Sequence, residues 1–247
     1  MLVAEKVIKG AEPFYYQSGS IGILLCHGFI GTPQSVQYIG RSLNYAGYTV
    51  SGLRLDGHGT TPQELAEQTY EQWMRNIEAA YCQLKETCQK VFIVGQSMGG
   101  TLTLHTASMF DDVDGIVLIN PAIDIPDMQH YRWEDKQSYI QESAPDIKFV
   151  QEEEITYTET PVNGYVQLLD LLDVVREKLS QVTCPVLGLQ STVDHVVPIE
   201  NTDYILKHVR SPIKEKRILA NSYHVASLDK DRDLISRYIQ DFIGKLS

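Results

Sequence analysis

Between Val91 and Gly100 a short apolar run rich in β-branched residues leads straight into Gly95-Gln96-Ser97-Met98-Gly99. The stretch after it, residues 101–109, is compatible with a helix. A strand, a sharp turn and a helix with serine at the apex form the setting of a nucleophile elbow, which lifts a serine hydroxyl above the end of a sheet. A turn that tight crowds the positions two before and two after the serine, and glycine stands at both. The serine itself is expected in a strained backbone conformation that needs rigid support on either side. Five residues alone match often by chance. In this setting they place demands on the rest of the chain.

The hydrophobic pattern meets those demands. Ile21–Cys26 is a continuous apolar strand that ends at His27-Gly28-Phe29. Gly31-Thr32-Pro33 predicts a helix start with Thr32 as N-cap and Pro33 at the first helical position, running to about Ala46 and stopping at Gly47. Residues 48–55 predict a strand before Asp56-Gly57-His58-Gly59, and residues 70–86 carry Trp73, Ile77, Ala80, Tyr81 and Leu84 at helical spacing. Strands follow at 90–94, at Gly115–Ile119 before Asn120-Pro121, at 185–190 before Ser191-Thr192-Val193-Asp194, and at 216–220. Helices are expected at 199–209 and 228–243, and residues 1–20 hold one or two short strands. Apolar strands alternating with helices predict an α/β fold with a mostly parallel sheet covered on both faces. Ligand chemistry then belongs beyond the carboxyl ends of the strands.

The alternation breaks between residues 122 and 180, a stretch rich in charge and aromatics with no clear strand. Residues 164–179 show Tyr165, Leu168, Leu169, Leu172 and Val175 on one helical face. A structureless insert of this length is uncommon in a compact domain. The expectation is therefore a core of residues 1–121 and 181–247 with a small helical cap, 122–180, inserted after the 115–119 strand. The Glu152-Glu153-Glu154 run reads as a solvated face.

A serine hydroxyl at neutral pH needs a base to take its proton, and the base needs a partner to fix its tautomer. On this architecture the chain order is serine, acid, histidine. Asp194 follows an apolar strand and precedes a turn, which makes it the expected acid; Asp203, inside the next helix, and Asp173, in the cap helix, are the alternatives. His224 follows the last strand and is the expected base. Of the other histidines, His27 and His58 precede the serine, His105 lies behind the elbow, His130 is in the cap, His195 adjoins the acid and His208 is near a helix end. The oxyanion hole needs two backbone N–H groups. Met98 supplies one and Phe29 the other, with Gly28 allowing close approach and the Phe29 ring available to line an acyl pocket. His27 reads as a brace for that loop, and Asp56-Gly57-His58-Gly59 as a tight turn with a structural histidine.

On these residues the chain resembles a serine esterase of the α/β-hydrolase superfamily. More narrowly, it resembles the small carboxylesterases and monoacylglycerol lipases of bacilli. The matching pieces are His27-Gly28-Phe29-x-Gly31-Thr32-Pro33, Gly57-His58-Gly59, Gly95-x-Ser97-x-Gly99-Gly100, Asp194-His195-Val196-Val197-Pro198 and Asn221-Ser222-Tyr223-His224-Val225-Ala226. The resemblance implies a core sheet, a small helical cap, hydrolysis of short- to medium-chain esters, and Phe29 and Met98 as oxyanion donors. Thioesterase, peptidase or acyltransferase chemistry on the same triad is the alternative, as is a hydrolase-fold receptor for a small ligand. Dehalogenases and epoxide hydrolases usually carry aspartate at the apex, where this chain has Ser97.

Composition limits the partners. The 247 residues carry a net charge of −11, so there is no basic footprint for nucleic acid or an anionic membrane surface. No stretch of about 18 apolar residues is present, so no membrane insertion is expected. The first 16 residues, with Glu5, Lys6 and Lys9, do not read as a signal peptide. Cys26, Cys82, Cys88 and Cys184 form no C-x-x-C pair and read as buried free thiols, pointing to the cytoplasm. Nothing in the expected chemistry asks for a metal or a cofactor, and the expected partner is a small-molecule ester.

Overall fold

A computed structural model describes residues 6–246; the expectations for residues 1–5 lie outside the described residues. In chain order the elements are β1 (Phe14–Tyr16), β2 (Ile21–Cys26), α1 (Gln34–Tyr45), β3 (Thr49–Gly52), α2 (Pro62–Ala66), α3 (Tyr70–Lys85), β4 (Lys90–Gln96), α4 (Met98–Met109) and β5 (Gly115–Ile119). A 3₁₀ stretch (Pro126–Trp133), β6 (Tyr139–Gln141), β7 (Glu159–Pro161) and α5 (Val162–Lys178) follow. Then come β8 (Val186–Ser191), α6 (Glu200–His208), β9 (Lys214–Leu219) and α7 (Arg232–Leu246).

Seven strands pair in the order β1-β3-β2-β4-β5-β8-β9. Every pairing is parallel except that of β1 with β3 at one edge. The apolar runs explain this, because side chains alternate across a strand and both faces here must be covered. Leu24, Ile93, Ile116 and Leu118 pack with α3, α4 and α5 on one face. Ile23, Leu25, Phe92, Val94 and Val117 pack with α1 and α7 on the other. The fold is therefore the expected doubly covered α/β sheet, with β4 near its middle and the elbow at its carboxyl end.

Several local expectations need correction. Thr32 does not cap α1 with its hydroxyl: the helix starts at Gln34, Thr32 offers its carbonyl to Ser35 N–H, and its Oγ1 is buried without a protein partner. The strand expected at 48–55 is shorter, since the Leu55 N–H donates to the His27 ring instead of to a neighbouring strand. The five-residue α2 went unread; its start, Thr61-Pro62, carries a cap in which the Thr61 hydroxyl accepts Glu64 N–H. The closing helix begins at Arg232, not 228, because Asp229 and Asp231 turn inward to hold the preceding loop. Of the thiols, Cys26 and Cys88 are buried, Cys184 is half-buried, and Cys82 is exposed on the outer side of α3.

The 122–180 segment is not purely helical. Besides the 3₁₀ stretch it contains a small antiparallel pair, β6 with β7, in which Tyr139 faces Pro161. Its long helix, α5, buries Leu168, Leu169, Leu171, Leu172 and Val175 in the same apolar cluster as α3 and α4. Of the glutamate run only Glu153 is a solvated residue. Glu152 pairs with Arg232 at 2.5 Å, and Glu154 turns toward the carboxyl end of the sheet. Among the described residues no helix is long and apolar enough to cross a membrane.

Candidate active site

The apex of the β4–α4 turn is Ser97, at φ 54° and ψ −120°. Its tightness shows in the flanking glycines. A Cβ on Gly95 would lie 2.1 Å from the Gly99 carbonyl oxygen, and one on Gly99 would lie 2.3 Å from that of Cys26. Ser97 is pinned on both sides: its N–H donates to Ile119 O, and its carbonyl accepts from Gly100 and Ala122. Among the described residues the non-glycine residues with positive φ are Ile30, Ser97 and Asn120. They sit just beyond the ends of β2, β4 and β5. A β-branched residue such as Ile30 rarely adopts this conformation, so strain is concentrated around one point, as functional sites often show.

The structure brings together the three side chains expected from chain order. His224 Nε2 lies 2.9 Å from Ser97 Oγ. His224 Nδ1 lies 2.7 Å from Asp194 Oδ2. The other carboxylate oxygen of Asp194 accepts the N–H groups of Val196 and Val197, at 2.9 and 2.8 Å. Burial alone would raise the Asp194 carboxyl. The His224 hydrogen bond and charge, with the two N–H groups, outweigh it and hold the carboxyl below its usual range. The arrangement keeps an anion against Nδ1, so Nε2 is the nitrogen left to take a proton from Ser97. Of the alternatives, Asp203 pairs with Lys216 and Asp173 with Arg132, both well away from His224.

Beside the serine runs the loop after β2. A Cβ built on Gly28 would come within 3.3 Å of Ser97 Cβ, so the Gly28–Phe29 backbone lies directly against Ser97. Met98 is the first residue of α4, where N–H groups have no partner inside the helix. His27 braces this loop: its Nε2 accepts Leu55 N–H, so the proton lies on Nδ1, which donates to Gly28 O at 2.8 Å. Burial pushes His27 down to about 4, which keeps it neutral in this role. The His58 ring lies 5.2 Å from the His27 ring, tilted at 57° to it, and is likewise held well below its ordinary value by burial and by His27. His105 bonds Glu78 behind the elbow, and His130 and His208 bond nearby backbone carbonyls at the surface.

The sequence matches the family model described as serine aminopeptidase, S33, over residues 21–231. The chain belongs to that hydrolase family. It is 41% identical over 241 residues to a thermostable monoacylglycerol lipase of Bacillus sp. strain H-257, covering 97% of this chain and 96% of that protein. It is 30% identical over 240 residues to a carboxylesterase of Bacillus subtilis strain 168, covering 95% and 97% respectively. A solved structure from work on LipS and LipT, two metagenome-derived lipolytic enzymes, matches with a TM-score of 0.94 at 40% identity, covering 97% of this chain and 100% of that one. The resemblance read from the motifs and the α/β-hydrolase fold both hold, and the chain is an enzyme.

In this hydrolase Ser97 opens into a cleft of about 400 Å³ between the sheet ends and residues 125–165. Phe29, Ile125, Met128, Tyr131, Ile140 and Tyr165 give it an apolar, aromatic side. The Phe29 and Tyr165 rings lie 5.3 Å apart, and Tyr165 stacks on Tyr131 at 4.3 Å. Gly28 and Phe29, both expected at the substrate, do line the cleft. Glu154 was not expected there. Its carboxyl packs against Gly31, where a Cβ would meet Oε1 at 2.7 Å. Burial pushes it up to about 7, against the opposing pull of the His224 charge. Asp146 and Asn120 also reach the loop that carries His224. No spacing rule reveals a loop glutamate or aspartate of this kind; only Asn120, at a strand end, lay where the sequence directs attention. Among the described residues no group of three or more His, Cys, Asp or Glu side chains is arranged to hold a metal ion.

Proposed function

We propose that this enzyme hydrolyses carboxylic esters of short- to medium-chain acids, monoacylglycerols among them, through an acyl-Ser97 intermediate. The observation that carries the reading is the continuous chain Ser97 Oγ, His224, Asp194, at 2.9 and 2.7 Å. His224 takes the serine proton as Oγ attacks the ester carbonyl, and Asp194 stabilises the imidazolium that forms. The N–H groups of Phe29 and Met98 receive the developing oxyanion. His224 protonates the departing alcohol, then activates water to release the acid. No metal or cofactor enters this sequence of steps.

The cleft supports the choice of substrate. Its aromatic wall suits an acyl chain. Glu154 adds a carboxyl raised to about 7, whose protonated form both donates and accepts hydrogen bonds and whose ionised form accepts them, which suits a leaving alcohol with free hydroxyls. Residues 122–180 act as the cap that decides which esters enter. The free thiols suit a reducing, cytoplasmic compartment.

The family description favours one rival, cleavage of an aminoacyl amide. That reading needs a carboxylate to hold the substrate ammonium, and Asp127, Glu142 and Glu154 all line the cleft, so measured rates must separate the two. The deciding experiment is a panel of purified-enzyme rates on monoacylglycerols of rising chain length, p-nitrophenyl esters, acyl-CoA thioesters and aminoacyl arylamides. The proposal expects the highest kcat/KM on esters, with monoacylglycerols of medium chain length among the best. Faster turnover of arylamides or thioesters than of any ester would overturn it.

A further inference from the structure

One carboxylate from the 122–180 segment reaches both the Asp194 loop and the His224 loop. Asp146 Oδ2 accepts the backbone N–H of His224 at 3.1 Å and that of His195 at 3.1 Å. Its Oδ1 lies 2.8 Å from His195 Nδ1. The Asp146 carbonyl also accepts Val225 N–H, at 3.1 Å. The residue after Asp194 and the residue that is the base are thus joined through one side chain from a distant segment.

The contact is reciprocal. Asp229, fully buried in the loop after His224, accepts the N–H of Lys148 at 2.7 Å and that of Tyr223 at 2.9 Å. Each segment therefore sends a carboxylate into the backbone of the other. On its far side the His224 peptide is held as well, because its carbonyl accepts Asn120 Nδ2 at 2.8 Å. The Asp146 side chain is only 15% exposed. Charge-assisted bonds to backbone N–H groups are strong in such surroundings.

Geometry gives this contact a consequence for rate. The His224 ring must satisfy two short contacts at once, to Ser97 and to Asp194. A displacement of its backbone by about 1 Å loses one or the other, and misplacement on that scale costs catalysis heavily. We propose that Asp146 is a positioning residue for the reaction: it holds the His224 backbone in register with the Asp194 loop and makes the 144–148 stretch a fixed support of the triad. The inference rests on the reading of Ser97, His224 and Asp194 as the reacting groups. The stretch that holds Asp146 and Lys148 is tied to the loops of Asp194 and His224.

The test compares Asp146→Ala and Asp146→Asn with the parent enzyme on one soluble ester. Rates are taken per active site, counted by titration with a fluorophosphonate, so that misfolded protein does not enter. Asp146→Ala should lower kcat by about tenfold or more, the scale of one lost charge-assisted bond felt in the transition state, with KM within about threefold of the parent. Asp146→Asn keeps an oxygen to accept the two N–H groups and should recover kcat to within about threefold of the parent. Parent-level kcat per titrated site in Asp146→Ala, even with a lowered Tm, would reduce Asp146 to a structural contact and overturn the proposal. Asp146→Asn as slow as Asp146→Ala would overturn it too. Ser97→Ala, run alongside, separates the two levels. Turnover surviving in that variant sinks the triad reading itself, whereas an inert Ser97→Ala beside a parent-like Asp146→Ala sinks the clasp alone.

Discussion

Glu154 shows how far a single residue's chemistry departs from its neighbours in sequence. Three consecutive glutamates normally face water together. Here Glu152 is taken by Arg232, the Glu153 carbonyl accepts Gln34, and Glu154 is turned in against Gly31. Burial raises its carboxyl to about 7 from an ordinary value of 4.5. A carboxyl raised in the folded state stabilises the fold below the ordinary value, and that contribution is lost as pH climbs toward about 7. Glu154→Gln abolishes this titration. The Tm of the variant minus that of the parent should therefore grow between pH 5 and pH 8; a difference that stays flat across that range would contradict the assigned burial. Asp194 has the opposite sign, contributing stability above the ordinary carboxylate range that disappears as pH falls below it. That Ser97, Asp194 and His224 would meet was legible because architecture fixes their order and each follows a strand. Glu154 and Asp146 were not, because they reach the site through the path of a loop, which no periodicity encodes.

Among the elements, α5 is the one whose partner could not be read. Its apolar stripe was plain, but a stripe does not say what it covers. The structure packs that stripe on α3 and α4, so the long helix of the segment expected to form a cap is anchored in the core. Leu169→Ala should accordingly cost roughly 2–5 kcal/mol, the price of truncating a fully buried leucine. Trp133, at the end of the 3₁₀ stretch, is 88% exposed, and Trp133→Ala should change stability by no more than about 0.5 kcal/mol. Thermal or denaturant unfolding of the two variants checks this. Equal losses, or a small loss at Leu169, would mean that α5 is not part of the core. Three-residue strands such as β6 and β7 went unread for a simple reason: two alternations carry no period. The elbow was legible because its glycines are forced by backbone contacts near 2 Å rather than by preference.

At the scale of the molecule, alternating apolar strands and amphipathic helices were enough to derive a parallel sheet with both faces covered. The antiparallel edge strand β1 was not derivable, because its three residues carry no sign of direction. Chain order at the carboxyl edge then did most of the work. Successive strands deliver the elbow, the Asp194 turn and the His224 loop to one place, and residues between 125 and 165 line the cleft beside it. The central claim is that this assembly transfers an acyl group to Ser97. Rapid quenching of the enzyme after mixing with p-nitrophenyl butyrate, followed by peptide mass mapping, tests it directly. A butyryl group is expected on the peptide containing Ser97, formed within one turnover, together with a kcat lower by about 10⁶ in Ser97→Ala. Butyryl found on another residue, or ester turnover in Ser97→Ala near the parent rate, would contradict it.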